Sequence, residues 1–313
     1  MKYFVNNLFN TQVCLMNTVA EAMSTFAEKS NLLDLQGNSP TALPGVRFFR
    51  ASKSSSRQPF IYQSGIIIVG QGRKVIHFAD HHIHYGAGDY LVVGVPMPLE
   101  CEAFADNGLP ILGLSIDVPP QILHQLVNQM REQNLCDPAY RCAQQGGLQL
   151  AKMDPSLEQA SIRLLETLSY PQEAAILGPD IIKEIVYRVL RGPQGLTLFG
   201  LAQHDGHYAR IAQALTTLHA NYANTITVEK LAEDVNMSVS SFHRAFRQVT
   251  YESPLQYLKK VRLNKAKELI IARGNRANEA AHLVGYTSAS QFSREFKRHF
   301  KQSPSEVSAH FLG

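Results

Sequence analysis

The side chains best suited to recognition chemistry recur in two copies of one pattern. SSFHRAFRQVTYESP occupies residues 240–254, and SQFSREFKRHFKQSP occupies residues 290–304. Each copy sets an arginine, Arg244 or Arg294, among serines and phenylalanines. A guanidinium can donate two parallel hydrogen bonds to a planar acceptor such as a guanine edge, and serine or glutamine can add single hydrogen bonds. The repeat therefore predicts two elements that contact nucleic acid.

Each copy fits the second helix of a helix-turn-helix unit. Phe242 and Phe246 are four residues apart, as are Phe292 and Phe296, so each pair lies on one helix face. A short apolar helix and a turn precede each copy, which is the order of a helix-turn-helix. The polar face is predicted to carry Ser240, Ser241, His243, Arg244, Arg247 and Gln248 in the first copy and Ser290, Ser293, Arg294 and Lys297 in the second.

The segment at 254–272 joins the two copies. If it is helical throughout, it is about 28 Å long, close to the ~34 Å between successive major-groove faces of DNA. One chain can therefore hold two recognition helices against adjacent grooves. Lys259 and Lys260 in this segment, with Ser238 and Thr287 at the helix starts, are expected to contact phosphates, although a merely solvated face fits each lysine about equally well.

Charge is divided unevenly along the 313 residues. The whole chain has a net charge of +4, whereas residues 208–313 contain 15 basic and 8 acidic side chains. Residues 1–207 contain 15 basic and 18 acidic side chains. A basic module joined to a mildly acidic one is typical of a nucleic-acid-binding domain fused to another domain.

The N-terminal part is predicted to be rich in short strands. Six or more apolar runs between residues 46 and 117 are separated by Gly, Pro, Asp and Asn, which favours an antiparallel barrel or sandwich followed by about three helices. The fold class is therefore α+β and multidomain, with an all-α C-terminal domain of two helix-turn-helix units. The predicted divisions are an extension at 1–40, a barrel domain at 41–199, a linker at 200–207 and a DNA-binding domain at 208–313.

Residues 208–313 resemble the DNA-binding domain of the AraC/XylS family of bacterial transcription regulators. The resemblance rests on VEKLAEDVNMSVSSFHRAFRQVTYESPLQYLKKVRL and AAHLVGYTSASQFSREFKRHFKQSP. It implies that both recognition helices enter the major groove, and it adds Ala289 to the base-facing positions. Tyr251 and Lys301 stand where the family usually has glycine, and Val307-Ser308 replaces its Tyr-Arg.

The resemblance extends upstream to about residue 35. PTALPGVRFFRAS, IYQSGIIIVGQGRKVIHF and YGAGDYLVVGVPMPLECEA are similar to the sensor domain of one branch of the family. This implies a cupin-like barrel with helices that binds a small effector or dimerises. The helices expected at 120–132 and 178–191 are the candidate dimer contacts. The residues expected to contact an effector are Tyr62, Ile66, Ile68, His77 and Leu91.

The expected function is sequence-specific regulation of transcription, most often activation, in the bacterial cytoplasm at the nucleoid. The expected partners are double-stranded promoter DNA, RNA polymerase, an unknown small effector and a second copy of the chain. Two alternatives stay open, namely a regulator whose N-terminal domain only dimerises and, less favoured, a metal-dependent cupin enzyme. We expect no enzyme activity and no cofactor.

The enzyme alternative depends on His77, His81, His82 and His84, which resemble cupin metal ligands. Three ligands on suitable strands would be needed, and no later strand offers another histidine, so no metal is predicted. The four cysteines lack metal spacing and are interpreted as small core residues, although Cys136 and Cys142 leave a redox sensor open. No membrane span or signal peptide is expected.

Overall fold

The computed structural model describes residues 18–78, 81–135, 146–202 and 206–309. Strands fill the first half of this part, and helices fill the second. The strands are β1 (Gly37–Pro40), β2 (Val46–Ala51), β3 (Ser55–Tyr62), β4 (Gly65–Gln71), β5 (Arg73–Phe78), β6 (His81–Gly86), β7 (Asp89–Val93), β8 (Met97–Phe104), β9 (Ile111–Ile116) and β10 (Leu148–Lys152).

Helices cover one side of the strands and form the whole C-terminal domain. The helices are α1 (Val19–Lys29), α2 (Pro120–Glu132), α3 (Pro155–Leu168), α4 (Pro171–Arg191), α5 (Gly195–Leu201), α6 (His207–Asn221), α7 (Val228–Asp234), α8 (Val239–Thr250), α9 (Pro254–Arg273), α10 (Ala277–Leu283), α11 (Ala289–Phe300) and α12 (Pro304–Ala309).

The strands form two antiparallel sheets that face each other. One has the order β1-β2-β9-β4-β7-β10, and the other has the order β3-β8-β5-β6. Alternation along β4 divides its side chains between the two faces of the larger sheet. Ile66 and Ile68 pack on the helices α1 to α4, whereas Ile67 and Val69 point toward the smaller sheet. The predicted barrel is therefore a two-sheet sandwich with helices on one side.

Helix α1, which falls within the predicted N-terminal extension, is part of this core. Thr18 and Glu21 form a capping box at the start of α1, which satisfies two otherwise unpaired backbone N–H groups. Met23 and Phe26 are buried, and the Phe26 ring meets the Phe48 ring edge-on at 5.2 Å. The part of the predicted extension from residue 18 onward thus belongs structurally to the N-terminal domain.

In the C-terminal domain, the 20-residue helix α9 serves two hydrophobic cores. Tyr257 and Val261 pack with the first helix-turn-helix unit, whereas Leu263 and Ile270 pack with the second. Leu255, at the start of the helix, is 60% exposed. The helix is buried on different sides along its length because it passes from one unit to the other.

The first helix-turn-helix unit also packs against the N-terminal domain. Its buried side chains and those between the two sheets form one continuous cluster. The Gly147 N–H donates to the Val249 carbonyl oxygen at 3.0 Å, and the Tyr257 hydroxyl donates to the Pro96 carbonyl oxygen. Packing, as well as the predicted linker, therefore sets the relative orientation of the two domains.

Within the four described ranges, no helix is both long enough and apolar enough to cross a bilayer.

Candidate DNA interface and effector cavity

The first recognition helix, α8, is fixed from behind by aromatic packing. The Ser238 hydroxyl accepts a hydrogen bond from the Ser241 N–H at 3.3 Å and so caps the helix. Phe242 and Phe246 are fully buried with ring centroids 5.5 Å apart, and Phe246 meets the Tyr257 ring edge-on. The opposite face is therefore held toward solvent.

The second recognition helix, α11, repeats this construction. The Ser288 hydroxyl accepts from the Gln291 N–H at 3.2 Å, so Ser288 is the cap and Thr287 lies exposed before it. Phe292 and Phe296 are fully buried with ring centroids 5.4 Å apart. Two helices of like design thus present polar faces from one domain.

The base-facing residues predicted for both helices lie at the surface. The side chains of three arginines, Arg244, Arg247 and Arg294, make no ion pair or hydrogen bond to any residue that the structure describes. An unpaired guanidinium keeps its donors available for a guanine edge or a phosphate. The exposed members are Ser240, His243, Arg244, Arg247, Gln248, Ser290, Arg294 and Lys297, and the partly buried ones are Ser241, Ala289 and Ser293.

The two lysines predicted to contact phosphates have carboxylate partners within the protein. Lys259 Nζ lies 3.2 Å from Glu295 Oε1 and so ties α9 to the second recognition helix. Lys260 pairs with Glu252, and both lysines are about 30% exposed at the side chain, at 30% and 28%. Their phosphate contacts stay a prediction, and binding DNA would require each lysine to leave or share its carboxylate.

Arg262 has a structural role that the sequence did not reveal. Its guanidinium donates to the carbonyl oxygens of Tyr222 at 2.7 Å, Asn224 at 2.8 Å and Gly285 at 3.4 Å. These contacts join the turn after α6 to the turn of the second unit. A charged side chain every few residues along α9 gave no sign that this one points inward.

The structure does not bring the five predicted effector residues together. Tyr62 and Leu91 lie between the two sheets, whereas Ile66 and Ile68 lie on the helix-covered face of β4. His77 lies on the outer face of the smaller sheet, opposite Ile76, with its Nε2 3.6 Å from Glu102 Oε1. The set mixes faces because the inward direction of each strand was not assigned.

A cavity of about 620 Å³ lies where the two sheets meet α9. Tyr62 is the predicted effector residue that lines it. The C-terminal domain contributes a wall that the sequence interpretation missed, since α9 was considered only as the connection between the two helix-turn-helix units and as a source of DNA contacts. The lining residues are Asn38, Arg47, Phe49, Pro59, Phe60, Ile61, Tyr62, Gln63, Ile67, Lys74, Ser115, Asn264, Lys267, Glu268, Ile271 and Ala272.

Two lysines give this largely apolar cavity a positive character. Lys74 Nζ lies 3.9 Å from the centroid of the Phe49 ring, and Lys267 Nζ lies 4.8 Å from that of Phe300. Neither has a carboxylate partner within the described ranges, and burial lowers the pKa of both amines. A cation partly withdrawn from water without an anion is costly, so an anionic group entering here would gain an electrostatic partner from each domain.

A hydroxyl and thiol cluster lies beside the cavity. The Tyr62 and Tyr85 hydroxyls are 2.8 Å apart, and the Tyr62 hydroxyl donates to Cys101 Sγ at 3.0 Å. Burial raises the pKa of both phenols well above the usual value and raises that of the thiol. Cys101 is thus a buried core thiol in its neutral form, as expected, while Cys14, Cys136 and Cys142 lie outside the described residues.

The histidines of the β5–β6 hairpin do not form a metal centre in the structure. The His82 and His84 rings are perpendicular with centroids 5.1 Å apart, and His82 pairs across the strands with His77. Within the described ranges, no group of three or more His, Cys, Asp or Glu side chains has the geometry to hold a metal ion.

Comparison with known proteins identifies both domains. Residues 42–197 match the family model described as the AraC-type transcriptional regulator N-terminus, and residues 231–310 match a helix-turn-helix domain model. Both ranges fall within the predicted domains.

Two curated relatives are transcription regulators. The regulator AlkR of Acinetobacter baylyi is 38% identical over 97 residues, which is 31% of this chain and 32% of AlkR. The lactose operon transcription activator of Staphylococcus xylosus is 26% identical over 80% of this chain and 86% of its own length. The match to AlkR thus covers about a third of AlkR, and the match to the lactose operon activator covers most of that protein.

Among solved structures, ToxT from Vibrio cholerae has the same fold. One ToxT structure aligns with a TM-score of 0.58 at 10% identity over 86% of this chain and 98% of ToxT. Another, with an unsaturated fatty acid bound, aligns with a TM-score of 0.56 at 14% identity over 89% of this chain and 99% of ToxT. Together with the family models, these matches confirm the predicted fold class and the prediction of a regulator rather than an enzyme. The chain belongs to the AraC/XylS family of DNA-binding transcription regulators.

Proposed function

We propose that the protein regulates transcription by inserting α8 and α11 into adjacent major grooves of promoter DNA. The observation that carries this proposal is the pair of exposed arginines, Arg244 and Arg294, on two helices that are fixed from behind by buried phenylalanines. The arginines would read bases, while neighbouring serines and the helix caps would contact bases or phosphates. The protein acts in the bacterial cytoplasm at the nucleoid.

The test is selection of genomic fragments by the full-length protein, followed by footprinting of the bound sites. The expected footprint has two protected major-groove segments about one helical turn, or 10–10.5 base pairs, apart on one face of the duplex. A single protected segment would contradict the use of both helices.

RNA polymerase is the second proposed partner, and activation is the proposed outcome. The curated relatives include an activator of the lactose operon. Transcription from a recovered promoter by purified RNA polymerase should increase when the protein is added. Lower transcription would make this protein a repressor at that promoter.

The cavity is the proposed effector site, and the proposed effector is an apolar molecule with a carboxylate head. A concave, mostly apolar space with a few polar groups is typical of a small-molecule site. Lys74 from the N-terminal domain and Lys267 from α9 are placed to share the anion. The fatty acid bound to ToxT, a protein of the same fold, agrees in chemistry with this choice.

Calorimetric titration with oleate below its critical micelle concentration tests the effector class. The wild-type protein should bind with a stoichiometry of one, and Lys74→Met and Lys267→Met should each weaken binding at least tenfold. The exposed Lys53 offers a matched control, since Lys53→Met removes a charge outside the cavity. Equal binding by all four proteins would remove the cavity from the proposal.

A homodimer is proposed through the N-terminal end of α4, next to the predicted contact helix at 178–191. Ile176 is 74% exposed and Leu177 is 49% exposed, and most of the later apolar residues of α4 are buried within the domain. Replacing both with serine should lower the dimer fraction in analytical ultracentrifugation. This face also supports the alternative in which the N-terminal domain serves only to dimerise.

A further inference from the structure

Tyr251 ends the first recognition helix in a conformation that tyrosine rarely adopts. It has φ 64° and ψ 8°, the left-handed region in which a Cβ crowds the backbone. Glycine is the usual residue at such a helix end. Lys301 ends the second recognition helix with nearly the same backbone, at φ 60°, but its side chain is exposed. The two ends therefore differ in what the side chain contacts.

The Tyr251 side chain contacts the N-terminal domain. Its ring lies 4.7 Å from that of Phe78, centroid to centroid. Its hydroxyl packs against Gly146, where any Cβ would collide with it. The next residue, Gly147, donates its N–H to the Val249 carbonyl oxygen at 3.0 Å, and a Cβ at Gly147 would lie 2.6 Å from that oxygen. Gly146 and Gly147 thus form a side-chain-free seat, called here the glycine saddle.

The glycine saddle is anchored in the larger sheet. The Gly147 carbonyl oxygen accepts from the Gly94 N–H at 2.9 Å, directly beyond the end of β7. The chain then continues from Gly147 into β10, which pairs with β7. The seat is therefore backbone fixed by the sheet, and the end of α8 docks onto it.

Strand β5 extends from this docking point to the effector cavity. Lys74, Ile76 and Phe78 alternate with the outward residues and share the inner face of the strand. Lys74 lines the cavity, and Phe78 packs on Tyr251. Phe78 is four residues along β5 from Lys74. A displacement of β5 by a molecule beside Lys74 would therefore reach Tyr251, at the end of the recognition helix, through Phe78.

We propose that Tyr251 is a positioning residue that holds the first recognition helix on the glycine saddle and couples its orientation to the cavity. The docking half of this inference stands on the contacts above. The coupling half rests on the effector role proposed for the cavity. The tyrosine that replaces glycine at residue 251 thus makes an interdomain contact, whereas the lysine that replaces glycine at residue 301 does not.

Hydrogen–deuterium exchange of the full-length protein, without ligand, tests the docking. Tyr251→Gly should fold, because glycine suits the left-handed end. It should raise exchange rates at least tenfold in the peptides containing Gly147 and β5, and scattering should report a larger radius of gyration. Lys301→Gly is the matched control for the backbone change, and Tyr251→Phe keeps the ring. Both should exchange like wild type.

Gly147→Ala tests the same contact from the other side. The added Cβ meets the Val249 carbonyl oxygen, so this variant should reproduce the exchange pattern of Tyr251→Gly. Wild-type exchange in both Tyr251→Gly and Gly147→Ala would overturn the inference.

The coupling is read from DNA binding with and without oleate, using a fragment recovered by genomic selection. Wild type and Lys301→Gly should show an affinity ratio different from one, and Tyr251→Gly should show a ratio of one. A ratio in Tyr251→Gly equal to that of wild type would overturn the coupling. A wild type that ignores oleate would overturn the effector class, while the exchange data would still decide the docking.

Discussion

At the scale of single residues, the base contacts proposed for two arginines depend on surroundings that leave both side chains free. Arg244 and Arg294 occupy equivalent positions of the repeat, and both are exposed without a partner among the residues described. Their exposure was predictable from the spacing of the phenylalanines. The inward orientation of Arg262 was not predictable, because the sequence of a helix does not show whether a basic side chain faces solvent or donates to three carbonyl oxygens.

Replacing either arginine tests base recognition. Arg244→Ala and Arg294→Ala should each weaken binding to the selected fragment by about 1–3 kcal/mol and relax base preference in one segment only. Lys53→Ala, which removes an exposed charge from the N-terminal domain, is the control and should leave affinity unchanged. Binding equal to wild type in both variants would show that these helices do not read the groove.

We expect Lys74 to lower the stability of the folded protein while providing the charge that binds oleate. Removing a buried charge that lacks a partner is commonly stabilising, so Lys74→Met should raise the free energy of unfolding by roughly 1 kcal/mol in urea denaturation. The same variant should lose oleate binding. A less stable Lys74→Met would mean that its contact with Phe49 outweighs the burial of charge.

At the scale of elements, the sequence located the helices better than the faces of the strands. Val19, Ala22, Met23 and Phe26 recur at helical spacing in the sequence of α1, and all four are buried. In β4 every residue from Gly65 to Gly70 is buried, so no alternation of polar and apolar residues marks its two faces. For this reason Ile66 and Leu91 could not be separated from the pattern alone, and the predicted effector set mixed two faces.

Helix α6 carries a histidine that should make stability depend on pH. His219 Nε2 lies 2.8 Å from the Tyr257 hydroxyl, and burial, followed by the charge of Lys265, lowers its pKa to about 4. Because the folded pKa is below the unfolded value of about 6.5, its contribution is present above pH 6.5 and is lost as pH falls toward 4. His299 behaves similarly.

The change from pH 7 to pH 5 should cost about 2 kcal/mol through His219 alone. Urea denaturation of His219→Gln at both values should show a correspondingly smaller pH dependence than wild type. His282→Gln alters an exposed histidine of α10 and should keep the wild-type dependence. An unchanged dependence in His219→Gln would assign it to other groups.

At the scale of the whole molecule, the domains are less separate than a linker at 200–207 suggests. One hydrophobic cluster contains side chains from between the sheets and from the first helix-turn-helix unit. The family resemblance predicted two domains and their order correctly, but no local pattern marks a contact between residues a hundred positions apart. The cavity wall on α9 was missed for the same reason.

This shared cluster predicts that the C-terminal domain depends on its neighbour. A fragment of residues 206–313 should unfold at a lower urea midpoint than the same domain in the full chain, because Tyr257 and Val249 lose part of their cover. Circular dichroism at 222 nm, recorded in urea for the fragment and for the full-length protein, measures the difference. Equal midpoints would show that the docking adds no stability.

The division of α9 between two cores has a consequence for the promoters this protein can use. A rod whose halves are each locked into a different bundle can neither twist nor stretch to suit its target. One base pair inserted between the two reading sites would swing one of them by about 35° around the duplex axis, beyond the reach of the second helix. Promoters under this regulator should therefore tolerate base substitutions between the two sites far better than any insertion or deletion of base pairs there.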